Sequence, residues 1–293
     1  MPFPYFIDNT QRDAFVACPL KWKRSFIDNL APIAPSIHLH AGGCFAAALE
    51  TTRRAFYENH IPEDVALSLG LSRLIVGWGD PEFGSDADKS LSRMIWAFDD
   101  YFREYPLSSD AVKPLMVDGR AAVEFTFAIP LPVNNPDSGD PLFYTGRFDM
   151  LGVFQDSIFV VDEKTSAMLG QSWGQQWDLK SQFTGYCAAA REYGYPVAGA
   201  IIRGVGLLKN STTFQPVLQY RPDWQIDRWW GQMIRDVKRM VAAYTSGEYD
   251  AALSEPCSQY GGCAFRRLCL SPNPEAWIEG YFTERNWDPL GHH

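Results

Sequence analysis

The chain has 293 residues, 46% of them hydrophobic, with 10 Trp, 13 Tyr and 19 Phe, which excludes a disordered protein and provides for a sizeable core. No apolar stretch approaches the length of a membrane span and Met1-Pro2-Phe3-Pro4 is no signal peptide, so a cytoplasmic protein without membrane contact is expected. The net charge of −9 argues against a generic nucleic-acid binder, although net charge describes non-specific attraction and not a site.

Taken in chain order, Asn9 to Ala17 reads as a short helix capped by Thr10 or Asn9, followed by Cys18-Pro19. Gly42 to Asn59 is helical, with Ala46, Leu49, Arg53 and Phe56 along one side. Residues 62–105 hold two further helical stretches, the second from Asp88 to Tyr105. Strands are expected at Ala121–Leu131, Phe143–Phe154 and Ser157–Glu163, with a polar loop at Asn134–Asp140 and a tight turn at Gln155-Asp156-Ser157. A helix from Gly174 to Tyr193, strands at Gly199–Leu208 and Thr212–Tyr220, and a long helix from Asp223 to Ser246 complete the pattern. The fold class is α/β, and with no repeat or low-complexity linker the whole of 1–293 reads as one domain. The basic clusters Lys21, Lys23 and Arg24; Arg53 and Arg54; Lys238 and Arg239; and Arg266 and Arg267 each read most simply as a solvated face. His292-His293 suits the remnant of a purification tag.

Two acidic stretches stand out, Gly146-Arg147-Phe148-Asp149 and Asp162-Glu163-Lys164. In a strand, residues two apart share a face, so Asp162 and Lys164 project together while Glu163 points away. A hairpin places Asp149 beside Asp162. Two carboxylates and a lysine at one sheet end suit a hard divalent cation, with the lysine near the water it activates. A solvated strand end with an ion pair is the alternative on these residues alone. Gln182 and Tyr186, four apart, share one helix face eighteen positions after Lys164. Glu124, in Val123-Glu124-Phe125, is a charge in an apolar strand that could orient a site group, although a solvent-facing strand carboxylate is the simpler reading.

There are six cysteines. Cys257, Cys263 and Cys269 form a C-x5-C-x5-C run with a Gly-Gly turn, within a segment of about 254–272, and read as metal ligands rather than disulfides. A closed site needs a fourth ligand, for which Cys18 is the natural candidate. Cys44 and Cys187 lie in helical patterns and read as core residues.

Gly146-x-x-Asp149, a hairpin, then Asp162-Glu163-Lys164, followed by Gln182-Phe183-Thr184-Gly185-Tyr186, resemble the PD-(D/E)XK nuclease superfamily in its RecB-like branch. The resemblance implies a core of helix, three strands, helix and strand, with 61–113 as a helical insertion. It implies a metal-dependent deoxyribonuclease hydrolysing phosphodiester bonds, and favours an exonuclease on single-stranded DNA or DNA ends. In that reading Asp149, Asp162 and the Glu163 backbone carbonyl hold Mg²⁺ or Mn²⁺, Lys164 assists the attacking water, and Gln182 and Tyr186 position DNA or the lysine.

One cysteine before the core and three after it resemble the iron–sulfur members of that branch, which include CRISPR-associated exonucleases and AddB-type nuclease domains. The implied cofactor is a [4Fe–4S] cluster on Cys18, Cys257, Cys263 and Cys269, joining the terminal segments. The first gap departs from the commoner C-x2-C, and four thiolates also suit structural zinc. The chain carries no G-x-x-x-x-G-K-[ST], so unwinding would need a helicase or recombination partner. The branch shows a histidine on its first core helix where this chain has Ala46, with His40 or Glu50 as substitutes. The alternative function is therefore a weak or inactive nuclease-fold protein that binds nucleic acid or a partner protein.

Overall fold

The strand and helix periodicities resolve into a mixed sheet with helices around it. The computed structural model describes residues 2–33, 36–79, 89–258 and 262–290. Asp88, where the second insertion helix was predicted to begin, part of the Gly-Gly turn and His292-His293 lie outside them. The main strands are β1 (Val123–Asn134), β2 (Pro141–Phe154), β3 (Ser157–Ser166), β4 (Val197–Leu207) and β5 (Thr212–Tyr220). The sheet order is the short strand Phe6–Ile7, then β2, β3, β4 and β5, with β1 and Lys113–Pro114 also pairing with β2. β2 and β3 are antiparallel, β3 and β4 parallel, and β4 and β5 antiparallel. The main helices are α1 (Asn9–Ala17), α2 (Ile37–Arg53), α3 (Glu63–Trp78), α4 (Leu91–Glu104), α5 (Ser181–Glu192) and α6 (Asp223–Ser246). Here α5 is the crossover that a parallel β3–β4 pair requires.

The contacts group into two compact units, one drawn from 1–35, 127–146 and 227–292, the other from 36–126 and 147–226. In the first, Asp8 caps α1 by accepting from the Gln11 amide at 2.8 Å. The predicted caps were Thr10 or Asn9; Asn9 instead donates its side-chain amide to Tyr144 Oη at 2.8 Å. Pro19 opens the next helical turn, where its missing N–H is no loss. Trp22 is fully buried against Phe3 and Phe15, and Tyr144 packs on Trp229 and Trp230 of α6. Leu30–Pro32 pairs antiparallel with Phe282–Glu284.

In the second unit, α2 begins at Ile37 rather than Gly42, because Ser36 caps it and Ala41 and Cys44 are buried on its inner face. Beyond Arg53 the helix widens into a π-turn, Arg54–Glu58. The helical insertion packs closely on α2 at Gly70. A Cβ there would lie 1.8 Å from Thr52 Oγ1 and 2.9 Å from the Ala48 carbonyl, so only glycine permits this approach. The helix predicted from Gly174 starts at Ser181. Before it, Trp173 and Trp177 are buried and Trp173 Nε1 donates to the Gln215 carbonyl at 3.0 Å, which ties 173–177 to β5 as turns and a 3₁₀ segment. Cys44 and Cys187 are buried, as their helical settings implied.

Candidate active site

The β2–β3 hairpin turns on Gln155 and Asp156, with φ of 46° and 60°. Two consecutive left-handed residues match the right-handed twist of the flanking strands and fix a two-residue loop. The resulting register pairs Met150 with Val161, which sets Asp149 opposite Asp162 one position further on. Asp162 is completely buried, and Lys164 Nζ lies 2.6 Å from its Oδ1. The Glu163 amide donates to Asp149 Oδ2 at 3.3 Å. On α5, Gln182 Nε2 donates to Tyr186 Oη at 3.2 Å, and the Tyr186 ring packs edge-on against Phe148. Lys164 Nζ stands 6.0 Å from the Phe183 ring centre. The structure thus brings Asp149, Asp162 and Lys164 together, with the Gln182/Tyr186 helix face beside them.

The electrostatics of this group are strained in a directed way. Burial, reinforced by the neighbouring Asp149, pushes the Asp162 carboxyl up to about 8. Burial raises Asp149 as well, with Lys164 opposing. Burial alone would lower Lys164, but the two aspartates hold it above its ordinary value. Asp162 Oδ2 is buried with no hydrogen-bond donor among the described residues. An orphaned buried carboxylate oxygen is unfavourable unless it is protonated or bound to a cation. The carboxylate oxygens of Asp149 and Asp162 therefore suit a hard divalent ion. Among the described residues, no group of three or more His, Cys, Asp or Glu side chains is disposed to hold a metal, so side chains alone do not complete such a site.

Glu124 corrects the sequence reading. Its φ of 50° breaks the strand alternation and turns the side chain inward, where it is 7% exposed and paired with Arg147 at 2.5 Å. Burial and the nearby Asp149 raise its carboxyl to about 8, against the pull of Arg147, and Glu50 adds to the rise. Glu50 thus lies within electrostatic reach of this acidic group while paired with Arg54 at 2.9 Å. His40 instead places Nε2 3.0 Å from the Trp78 carbonyl. Arg53, read as part of a solvated basic cluster, is buried and grips Glu163, with Nη2 at 2.5 Å from Oε1. Arg53, Arg147, Tyr101 and Arg203 were not singled out as site residues. The available signal was a lone charge inside an apolar run, as at Arg203 in Ala200-Ile201-Ile202-Arg203.

Cys18, Cys257, Cys263 and Cys269 all line one cavity of about 260 Å³, together with Lys21 and Arg24. All four are free thiols, and Arg24 Nη1 approaches Cys269 Sγ at 3.1 Å. A Cys-ligated metal site is not shown, since no metal-holding group of three occurs among the described residues.

With this geometry in place, comparison with known families is decisive at the level of superfamily. Residues 10–270 match the family model described as the PD-(D/E)XK nuclease superfamily. The chain belongs to that superfamily. The match does not confirm the RecB-like iron–sulfur branch. No curated protein matches the chain. Among solved structures, that of SSO0001 matches with 11% identity and a TM-score of 0.29, over 67% of this chain and 74% of its own. A likeness that slight carries no argument.

Proposed function

We propose that the protein is a Mg²⁺- or Mn²⁺-dependent deoxyribonuclease acting as an exonuclease on single-stranded DNA or DNA ends. The observation that supports it best is the buried Asp162, with an orphaned oxygen and Lys164 2.6 Å away, set beside the half-buried Asp149. Asp149, Asp162 and the Glu163 carbonyl would hold the cation. When bound, the cation would supply charge stabilisation at the scissile phosphate and acidify a water. Lys164 would orient that water and face the charge that builds on the phosphoryl oxygens. The water oxygen would bond to phosphorus and release its proton to bulk solvent, the bond to the leaving sugar oxygen would break, and that oxygen would take up a proton from solvent. Gln182, fixed by its hydrogen bond to Tyr186, would present its remaining amide atoms to the DNA backbone or the lysine.

We infer further that Cys18, Cys257, Cys263 and Cys269 hold a [4Fe–4S] cluster, or zinc, and that the protein is cytoplasmic, a single nuclease domain, and works with a helicase or recombination partner. Anaerobically purified protein should be brown; a colourless protein with one zinc would refute the cluster and keep the site.

The direct test is Mn²⁺-dependent digestion of labelled single-stranded DNA. Lys164→Ala should lower the cleavage rate by about 10²-fold or more while DNA binding persists. Undiminished cleavage by that variant removes Lys164 from the mechanism. Ala46, at the helix position where the resemblance implies histidine, favours the second reading of a nuclease fold that binds without cutting. No cleavage of any DNA at any Mn²⁺ concentration would make it the better reading.

A further inference from the structure

The middle residue of Asp162-Glu163-Lys164 faces away from the carboxylate pair, yet it does not face solvent. Its side chain is 5% exposed and receives Arg53 as a fork, Nη2 to Oε1 at 2.5 Å and Nη1 to Oε2 at 3.3 Å. The Tyr101 hydroxyl donates to the same Oε1 at 2.8 Å. That hydroxyl accepts in turn from Arg53 at 2.9 Å and from Arg203 at 3.0 Å. Arg203 closes the set on Asp110 at 2.8 Å, with its guanidinium 4.1 Å from the Tyr105 ring centre. Two arginines thus balance two carboxylates in a nearly dry interior.

Such a network is a poor way to gain stability. Desolvating the charges offsets much of their attraction, and apolar replacements of equal volume are often neutral or better. Its value lies in geometry, because a bidentate fork fixes both the position and the plane of the carboxylate it grips. The gripped residue is the one whose amide holds Asp149 and whose neighbours are Asp162 and Lys164. Three elements contribute. Arg53 ends α2 immediately before its π-turn, Tyr101 comes from α4 of the helical insertion, and Arg203 pairs with Glu163 in the β3–β4 register.

We propose that Arg53 and Tyr101 are positioning residues for the cleavage reaction. By clamping Glu163 on the far face of β3 they fix the main chain that presents Asp162, Lys164 and the Glu163 carbonyl to the cation. The proposal rests on the nuclease reading above. It also assigns the insertion a task, since Tyr101, Tyr105 and Asp110 all belong to it.

The experiment compares wild type, Tyr101→Phe, Arg53→Met and the double variant Arg53→Met/Glu163→Met by three readouts. These are Mn²⁺ affinity from the loss of the free-ion EPR signal, cleavage of labelled single-stranded DNA, and thermal unfolding. Both single variants should weaken Mn²⁺ binding by about 10-fold or more, as loss of a group orienting a metal ligand typically does. Tyr101→Phe, which keeps the ring, should do so with an unfolding temperature within a few degrees of wild type. The double variant should regain the stability that Arg53→Met loses without regaining Mn²⁺ affinity. Variants that unfold earlier but bind Mn²⁺ as wild type does would overturn the proposal, as would recovery of affinity together with stability in the double variant. Wild type that neither binds Mn²⁺ nor cleaves would overturn the nuclease reading itself, and the positioning role with it. The two failures are distinct, because the former requires an active wild type.

Discussion

Asp162 concentrates the conflict between folding and function in one side chain. Its carboxyl is raised from the ordinary 3.8 to about 8, so between those limits the folded state retains a proton that the unfolded state has lost. The sign follows directly. Without metal, the contribution of Asp162 to stability falls as pH rises through that window, and Glu124, raised to about 8, acts in the same sense. Glu163 is opposite. Burial pushes it up, but Arg53, Arg203 and the Tyr101 hydroxyl together outweigh burial and hold it below 4.5, so its contribution is present above that value and is lost in acid. Asp162→Asn should therefore abolish cleavage yet raise the unfolding temperature of metal-free protein at the alkaline end of the window, by roughly 2–4 °C for each kcal/mol relieved. Its unfolding temperature should also vary less with pH than that of wild type, and Mn²⁺ should stabilise wild type more as pH rises. Equal pH slopes in the two proteins would show that Asp162 is not the strained group. The sequence made Asp149, Asp162 and Lys164 legible because strand alternation and a short turn decide which side chains converge. It hid Glu124, whose left-handed φ defeats alternation, and Arg53, whose burial depends on a carboxylate 110 positions away.

At the scale of elements, the hairpin and the helix between β3 and β4 were readable because their signals are local, whereas the parallel pairing of those strands was not. Two apolar runs joined by a minimal loop leave one pairing, and a parallel return needs a helix. The boundaries that moved depended on tertiary contacts, as where Trp173 and Trp177 hold 173–177 out of α5. The close approach of the insertion to α2 is of this kind too, since nothing near Gly70 in the sequence announces it. A methyl group there would strike Thr52 Oγ1 and the Ala48 carbonyl, and the carbonyl cannot rotate aside. Gly70→Ala should destabilise by about 1–3 kcal/mol, the usual range for overpacking a core. It should not alter Mn²⁺ affinity in the protein that remains folded. Chemical denaturation checks the first expectation. A neutral or stabilising effect, as helix propensity alone would give, would mean that α2 and α3 separate without penalty.

For the whole molecule, the net charge of −9 must be reconciled with a polyanionic substrate. Several cations are already engaged by partners in the fold: Arg53 by Glu163, Arg203 by Asp110, Arg12 by Asp236 and Arg147 by Glu124. Engaged in this way, they add little long-range attraction for phosphate. On the proposed nuclease reading, recognition of nucleic acid then has to come from the site itself, where a divalent cation and Lys164 would face the phosphate, and not from a broad basic surface. A protein that neutralises six to ten phosphates with lysine and arginine loses about 10³–10⁵ in affinity between about 50 and 200 mM salt. This protein should lose far less over the same range. Chelating the divalent ion should instead weaken binding by about 10-fold or more, because the principal positive charge facing the phosphate is removed. Fluorescence anisotropy with labelled single-stranded DNA, using Ca²⁺ as a hard divalent ion and a salt series with and without EDTA, measures both effects. A steep salt dependence that chelation leaves unchanged would mean that a basic surface dominates binding, and the cation-centred account of substrate capture would fail.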